Sequence, residues 1–203
     1  MRDAGIGRVL VASLHQGIAD VLPMRLTFYE NWLNAEGLRG GTIGLAAVNA
    51  VLSFLRQEGV DYRTITSRAG EYTAEWTVET MSSFQRSMLN AAPAWLRRRL
   101  VLRVGRRLVN DCFQGTHAAV RVKKGTARIT VRDSVFCSVR DRVGEPLCGF
   151  YAAMYTRLFS LFHLPTTATV VACRATGEHV CTLKIPLSAD ANAASPESAL
   201  SIS

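Results

Sequence analysis

Apolar residues recur at helical spacing through the first half of the chain and change to strict alternation in the second. The first pattern predicts helices over residues 9–21 and 26–35, with Pro23 between them and Gly37 as a stop. Gly40, Gly41 and Thr42 open the next segment. There Ile43, Ala46, Ala47, Ala50, Val51, Phe54 and Leu55 form a stripe apolar enough for a buried helix ending before Gly59. Helical periodicity continues over 64–81 and 94–112. Gly70 and Gly105 interrupt these two segments, each at about 1 kcal/mol relative to alanine, so each marks a close packing contact.

The alternating half begins with Ala118, Val120 and Val122 against Ala119, Arg121 and Lys123. After Lys124 and Gly125, Ala127, Ile129 and Val131 alternate with Arg128, Thr130 and Arg132, which predicts a hairpin with one apolar and one basic face. A breaker at Gly144, Glu145 and Pro146 leads into 147–164, whose apolar stripe stops before Pro165. A second hairpin follows, turning at Thr176, Gly177 and Glu178. Two hairpins bracketing a helix predict an α+β fold: N-terminal helices packed on a roughly four-stranded antiparallel sheet. At 203 residues the chain reads as one domain over 1–187. Residues 188–203, rich in Ala and Ser with few bulky side chains, read as a flexible tail.

Cysteine placement adds candidate chemistry. A turn centred on Gly177 pairs Cys173 with Cys181, and opposed residues carry Cβ atoms about 4.5–5.5 Å apart. Alternation places His179 on the same face, and Cys148 opens the helix, where amide donors and the helix dipole favour a thiolate. Three readings stand on these residues: zinc held by Cys148, Cys173 and Cys181 with His179 as a fourth ligand, three inert buried thiols, or a cross-strand disulfide between Cys173 and Cys181. The spacing is not that of a zinc finger. Cys112 and Cys137 read as packing residues.

A net charge of +8 points to an anionic partner. Much of the excess is local, in Arg97, Arg98, Arg99, Arg103, Arg106 and Arg107 of the helix over 94–112. That basic amphipathic helix fits a solvated face, an acidic protein partner or an anionic membrane surface. Nucleic acid is disfavoured, because aromatic residues are not interleaved with the arginines. The longest apolar stretch of the first half, 43–55, is short of the roughly 20 residues a bilayer span needs. Five cysteines without a secretory leader predict a cytoplasmic, reducing location.

No catalytic set emerges. His15 and His163 stand alone, Glu71, Glu75 and Glu79 describe a solvated stripe, and nucleotide loops, nucleophile elbows and zinc-protease motifs are missing from the sequence. Aromatic residues do suggest a ligand site. Phe150, Tyr151, Tyr155 and Phe159 on one helix, with Trp76, Phe84 and Trp95 on others, could equally line a pocket or fill a core.

The run Pro146-Leu147-Cys148-Gly149-Phe150-Tyr151-Ala152-Ala153, then Arg157-Leu158-Phe159, Pro165, Cys173-Arg174-Ala175-Thr176-Gly177 and Cys181, resembles the 4-vinyl-reductase domain family. It is most similar to the bacteriochlorophyll-synthesis 4-vinyl-reductase-type and hydrocarbon-binding proteins, strongest over 110–187. The resemblance implies the fold of small transport-tethering-complex subunits, with an apolar cavity between helices and sheet and often a homodimer. It further implies a structural zinc on cysteines matching Cys148, Cys173 and Cys181, with a glutamate three positions before the middle one. Val170 stands at that position, and His179 is the expected substitute. The function implied is binding and delivery of a hydrophobic or aromatic small molecule, a tetrapyrrole among the candidates. Vinyl-group reduction with an accessory electron donor and a dimeric interaction scaffold are the alternatives.

Overall fold

The computed structural model describes residues 6–33, 44–139 and 141–187. Gly37, the Gly40–Thr42 opening and the tail over 188–203 lie outside them. The order is α1 (Arg8–Val21), α2 (Leu26–Glu30), α3 (Leu45–Gln57), α4 (Val60–Thr80), α5 (Ser83–Ala91), α6 (Ala94–Cys112), β1 (His117–Lys123), β2 (Thr126–Arg132), α7 (Gly149–Leu161), β3 (Thr169–Ala172) and β4 (Cys181–Pro186). The expected α+β architecture is present, with strands in the order β1-β2-β4-β3, every neighbouring pair antiparallel.

Helix α7 organises the core. Phe150, Tyr151, Met154, Tyr155, Leu158 and Phe159 are all buried, as expected of a helix apolar over most of its circumference. The inner sheet residues Ala127, Ile129, Val131, Leu183 and Ile185 join the same core. Both glycines singled out by the pattern are close contacts. A Cβ on Gly70 would lie 2.2 Å from the Phe150 carbonyl oxygen, so α4 and α7 touch backbone to backbone. One on Gly105 would lie 2.2 Å from the Tyr155 ring, which brings α6 against α7. The first hairpin keeps its register over seven pairs, from His117 opposite Arg132 to Lys123 opposite Thr126.

Three expectations change. The segment over 82–93 holds α5, opened by a capping box in which Ser82 Oγ accepts from the Gln85 amide while the Gln85 side chain accepts from the Ser82 amide. The expected helix over 26–35 is shorter: its regular part stops at Glu30 and turns at Asn31 and Trp32. The second hairpin is not a simple ladder. Its last pair is Ala172 with Thr182, beyond an irregularity after Val170, and a 3-10 turn over Arg174–Thr176 replaces further strand. Gly177 closes that turn at φ 104°, a conformation side-chain-bearing residues rarely adopt.

Candidate metal centre and adjoining interior

Four chain segments deliver one sulfur each to a single buried point. Cys137 ends a 3-10 turn over Val135–Cys137, Cys148 precedes the first turn of α7, Cys173 follows β3, and Cys181 begins β4. All four are buried, and their Sγ atoms lie within 4.8 Å of one another. Cys137 Sγ is 3.4 Å from Cys173 Sγ and 3.3 Å from Cys181 Sγ.

The surrounding helices fix this convergence. Phe136 stacks on Phe150 with centroids 4.7 Å apart and meets Tyr151 edge-on, while Arg56 donates to the Phe136 carbonyl at 3.1 Å. Tyr62 Oη donates to the Leu147 carbonyl at 3.0 Å, holding the segment that presents Cys148. Cys173 O accepts from the amides of Thr176 and Glu178, and the Arg174 amide donates to Cys181 Sγ at 3.4 Å. Amide donation to a sulfur stabilises its thiolate form.

The expected cysteine trio is therefore together, and the fourth position differs from the expectation. Cys137, read from the sequence as packing, supplies the fourth sulfur. His179 lies on the exposed turn outside the sulfur group, because the 3-10 turn ends the alternation that would have aimed it inward. Val170, at the family's glutamate position, is paired with Leu183 and packs against the core. The spacing from Cys137 to Cys148 matches no short metal motif, so only the fold joins them. No disulfide links Cys173 to Cys181, and all five cysteines are free.

Electrostatics show why four such groups call for a cation. Cys173 is held well below the usual thiol range by hydrogen bonding from Cys137, Cys148 and Cys181, and Cys181 is lowered chiefly by Cys137 and Cys148. Cys148 is pushed up through its bonds to Cys137, Cys173 and Cys181. Hydrogen bonding from Cys148 lowers Cys137, yet Cys173, Cys181 and burial together push it up. A buried set of four thiolates is untenable without a compensating positive charge. Tetrahedral zinc with Zn–S near 2.3 Å separates its sulfurs by about 3.8 Å, between the 3.3 Å of the nearest pair and the 4.8 Å that bounds the group. The donor set fits a structural, fully closed site, which would bind the turn, α7 and the second hairpin together.

The seven expected ligand aromatics fall into two groups. Phe150, Tyr151, Tyr155 and Phe159 line the interior, whereas Phe84 and Trp95 are 75% and 61% exposed and Trp76 stacks half-buried on Tyr72. The first four share one helix, α7, whereas Trp76, Phe84 and Trp95 lie on α4, α5 and α6, and the packing of those helices leaves them half-buried or exposed. Within the interior, the hydroxyls of Tyr151, Tyr155 and Ser134 are buried; Tyr151 and Ser134 interact with each other, whereas Tyr155 Oη has no hydrogen-bond partner among the described residues. Burial pushes both tyrosines above the ordinary phenol range, so they remain neutral. A cleft of about 320 Å³, lined by Arg97, Arg98, Phe159, His163, Leu164 and Leu187 among others, opens between α6 and the end of β4. No described helix is long and apolar enough to cross a membrane.

No family model and no curated protein sequence matches the chain. Among solved structures, the phenol-responsive sensory domain of the transcription activator PoxR, crystallised with phenol, superposes with a TM-score of 0.51 at 16% identity, covering 70% of this chain and 74% of that one. An H-NOX domain from Shewanella oneidensis, solved by NMR in the Fe(II)CO ligation state, superposes with a TM-score of 0.45 at 14% identity over 91% of this chain and 99% of that one. The first likeness shows a shared α+β fold.

Proposed function

We propose that the protein binds a small apolar or aromatic molecule against Phe150, Tyr151, Tyr155 and Phe159, on a frame locked by zinc at Cys137, Cys148, Cys173 and Cys181. The carrying observation is the buried hydroxyl of Tyr155, which has no hydrogen-bond partner among the described residues. Buried polar groups are nearly always paired, and an unpaired one costs about 1–3 kcal/mol. Tyr155 offers such a group, and Tyr151 and Ser134 add buried hydroxyls to an otherwise apolar interior. A ligand with one polar group and a hydrophobic body satisfies them and gains burial as well.

The resemblance to hydrocarbon-binding and 4-vinyl-reductase-type proteins supports this reading, and so does the phenol held by the sensory domain that shares the fold. Phe159 belongs both to the interior and to the cleft, which gives a ligand a way in. The action is sequestration and delivery or sensing, and zinc supplies rigidity rather than chemistry.

Calorimetric titration with phenol and its alkyl derivatives tests this. Wild-type protein should bind at least one of them, and Tyr155→Phe should bind it about tenfold more weakly, as loss of one buried hydrogen bond requires. The same variant, relieved of an orphan hydroxyl, should be as stable as wild type or more so without ligand. Unchanged affinity in both Tyr151→Phe and Tyr155→Phe contradicts the assignment.

A further inference from the structure

Helix α5 faces the wrong way for a helix that serves only the core. Leu89 is its one buried residue, while Phe84 and Met88, four positions apart and so on one face, are 75% and 56% exposed. Trp95, in the first turn of α6, is 61% exposed. These three are among the most exposed large apolar side chains described, and they fall within twelve residues across the α5–α6 elbow.

Charge on the same elbow has a single sign. Residues 82–110 contain seven arginines, at 86, 97, 98, 99, 103, 106 and 107, and no aspartate, glutamate or lysine. The core face of α6 is made by Val101, Leu102, Gly105, Val109 and Cys112. Arg99, Arg103 and Arg106 are exposed on the side that also carries Trp95. These three arginines overhang a groove of about 460 Å³ whose apolar side is Leu102, Val120 and Val122 of the edge strand β1. None of the seven arginines forms an ion pair among the described residues, whereas Arg157 pairs with Glu75 and Arg63 with Glu145 elsewhere.

We propose that the α5–α6 elbow docks on an anionic lipid bilayer, with Phe84, Met88 and Trp95 entering the interface and Arg99, Arg103 and Arg106 meeting lipid phosphates and carboxylates. Charge complementarity selects this partner together with the apolar side chains. An acid-free arginine face alone would suit any polyanion, but Phe and Met directed outward on an amphipathic helix gain only from a medium that can receive them. Guanidinium forks match phosphate geometry, and Trp favours the headgroup layer. The inference stands apart from the interior ligand site, since none of its residues lines that interior.

Co-sedimentation of the full chain with vesicles of phosphatidylcholine, alone or with about 30% phosphatidylserine, decides the matter. Capture by the serine-containing vesicles only, weakened by salt, is the expected result. With each arginine worth roughly fivefold near such a surface, the triple variant Arg99→Gln, Arg103→Gln, Arg106→Gln should partition about 100-fold more weakly. Phe84→Ser with Met88→Ser should lose about tenfold on the same vesicles while keeping the salt dependence. Both variants alter exposed side chains, and circular dichroism confirms that each is folded. Equal capture by both vesicle types, capture by neither, or binding of wild type to RNA or an acidic peptide but not to vesicles would overturn the proposal.

Discussion

The fourth sulfur is where a single residue decides the chemistry. Cys137 lies 3.3 and 3.4 Å from two of the other sulfurs, while His179 is on the exposed turn. If the group holds zinc, Cys137→Ala leaves three ligands and a site open to water. Elemental analysis of that variant should find less than about half the zinc of wild type, and His179→Ala should retain it all. Loss of zinc in the histidine variant with retention in the cysteine variant would reverse the assignment. The sequence revealed three of the four sulfurs, because one opens a helix and two flank a turn. Cys137 was hidden because its proximity depends on Phe136 stacking on Phe150, a contact between residues fourteen apart that no local pattern encodes.

Among the elements, the contact of α4 with α7 is a backbone-to-backbone constraint. At Gly70 an added Cβ meets backbone, which cannot rotate away, whereas at Gly105 it meets the ring of Tyr155. Gly70→Ala should therefore destabilise the protein by about 1–3 kcal/mol or more in urea melts, and Gly105→Ala should be partly rescued by Tyr155→Leu. Failure of that rescue would place the strain elsewhere. Helical periodicity located α6 and α7 well, because each buries a continuous stripe. It missed α5, whose apolar residues Phe84 and Met88 face outward, although Ser82 and Gln85 spell its capping box. The second hairpin was legible as a turn at Gly177 but not as a 3-10 turn, since alternation alone does not encode where a ladder stops.

In the whole molecule, the buried helix α7 joins three features: its start presents Cys148, its middle carries the buried hydroxyls of Tyr151 and Tyr155, and its last turns place Phe159 at the cleft. A metal at one end would hold rigid a helix whose flank is the proposed ligand site, so removing the metal should weaken ligand binding as well as stability. The basic face of the first hairpin adds Arg121 directly opposite Arg128, and Arg128 opposite Lys184, a row of like charges that costs stability and marks the sheet exterior as solvent-facing or anion-facing. Native mass spectrometry of the full chain, purified without chelator and incubated with a stoichiometric panel of phenols, other apolar aromatics and a tetrapyrrole, tests the central claim most directly. One zinc and one small aromatic molecule per chain are expected, with ligand occupancy reduced when the metal is removed and in Tyr155→Phe. A bare polypeptide mass under the same conditions, with neither zinc nor ligand retained, would contradict it.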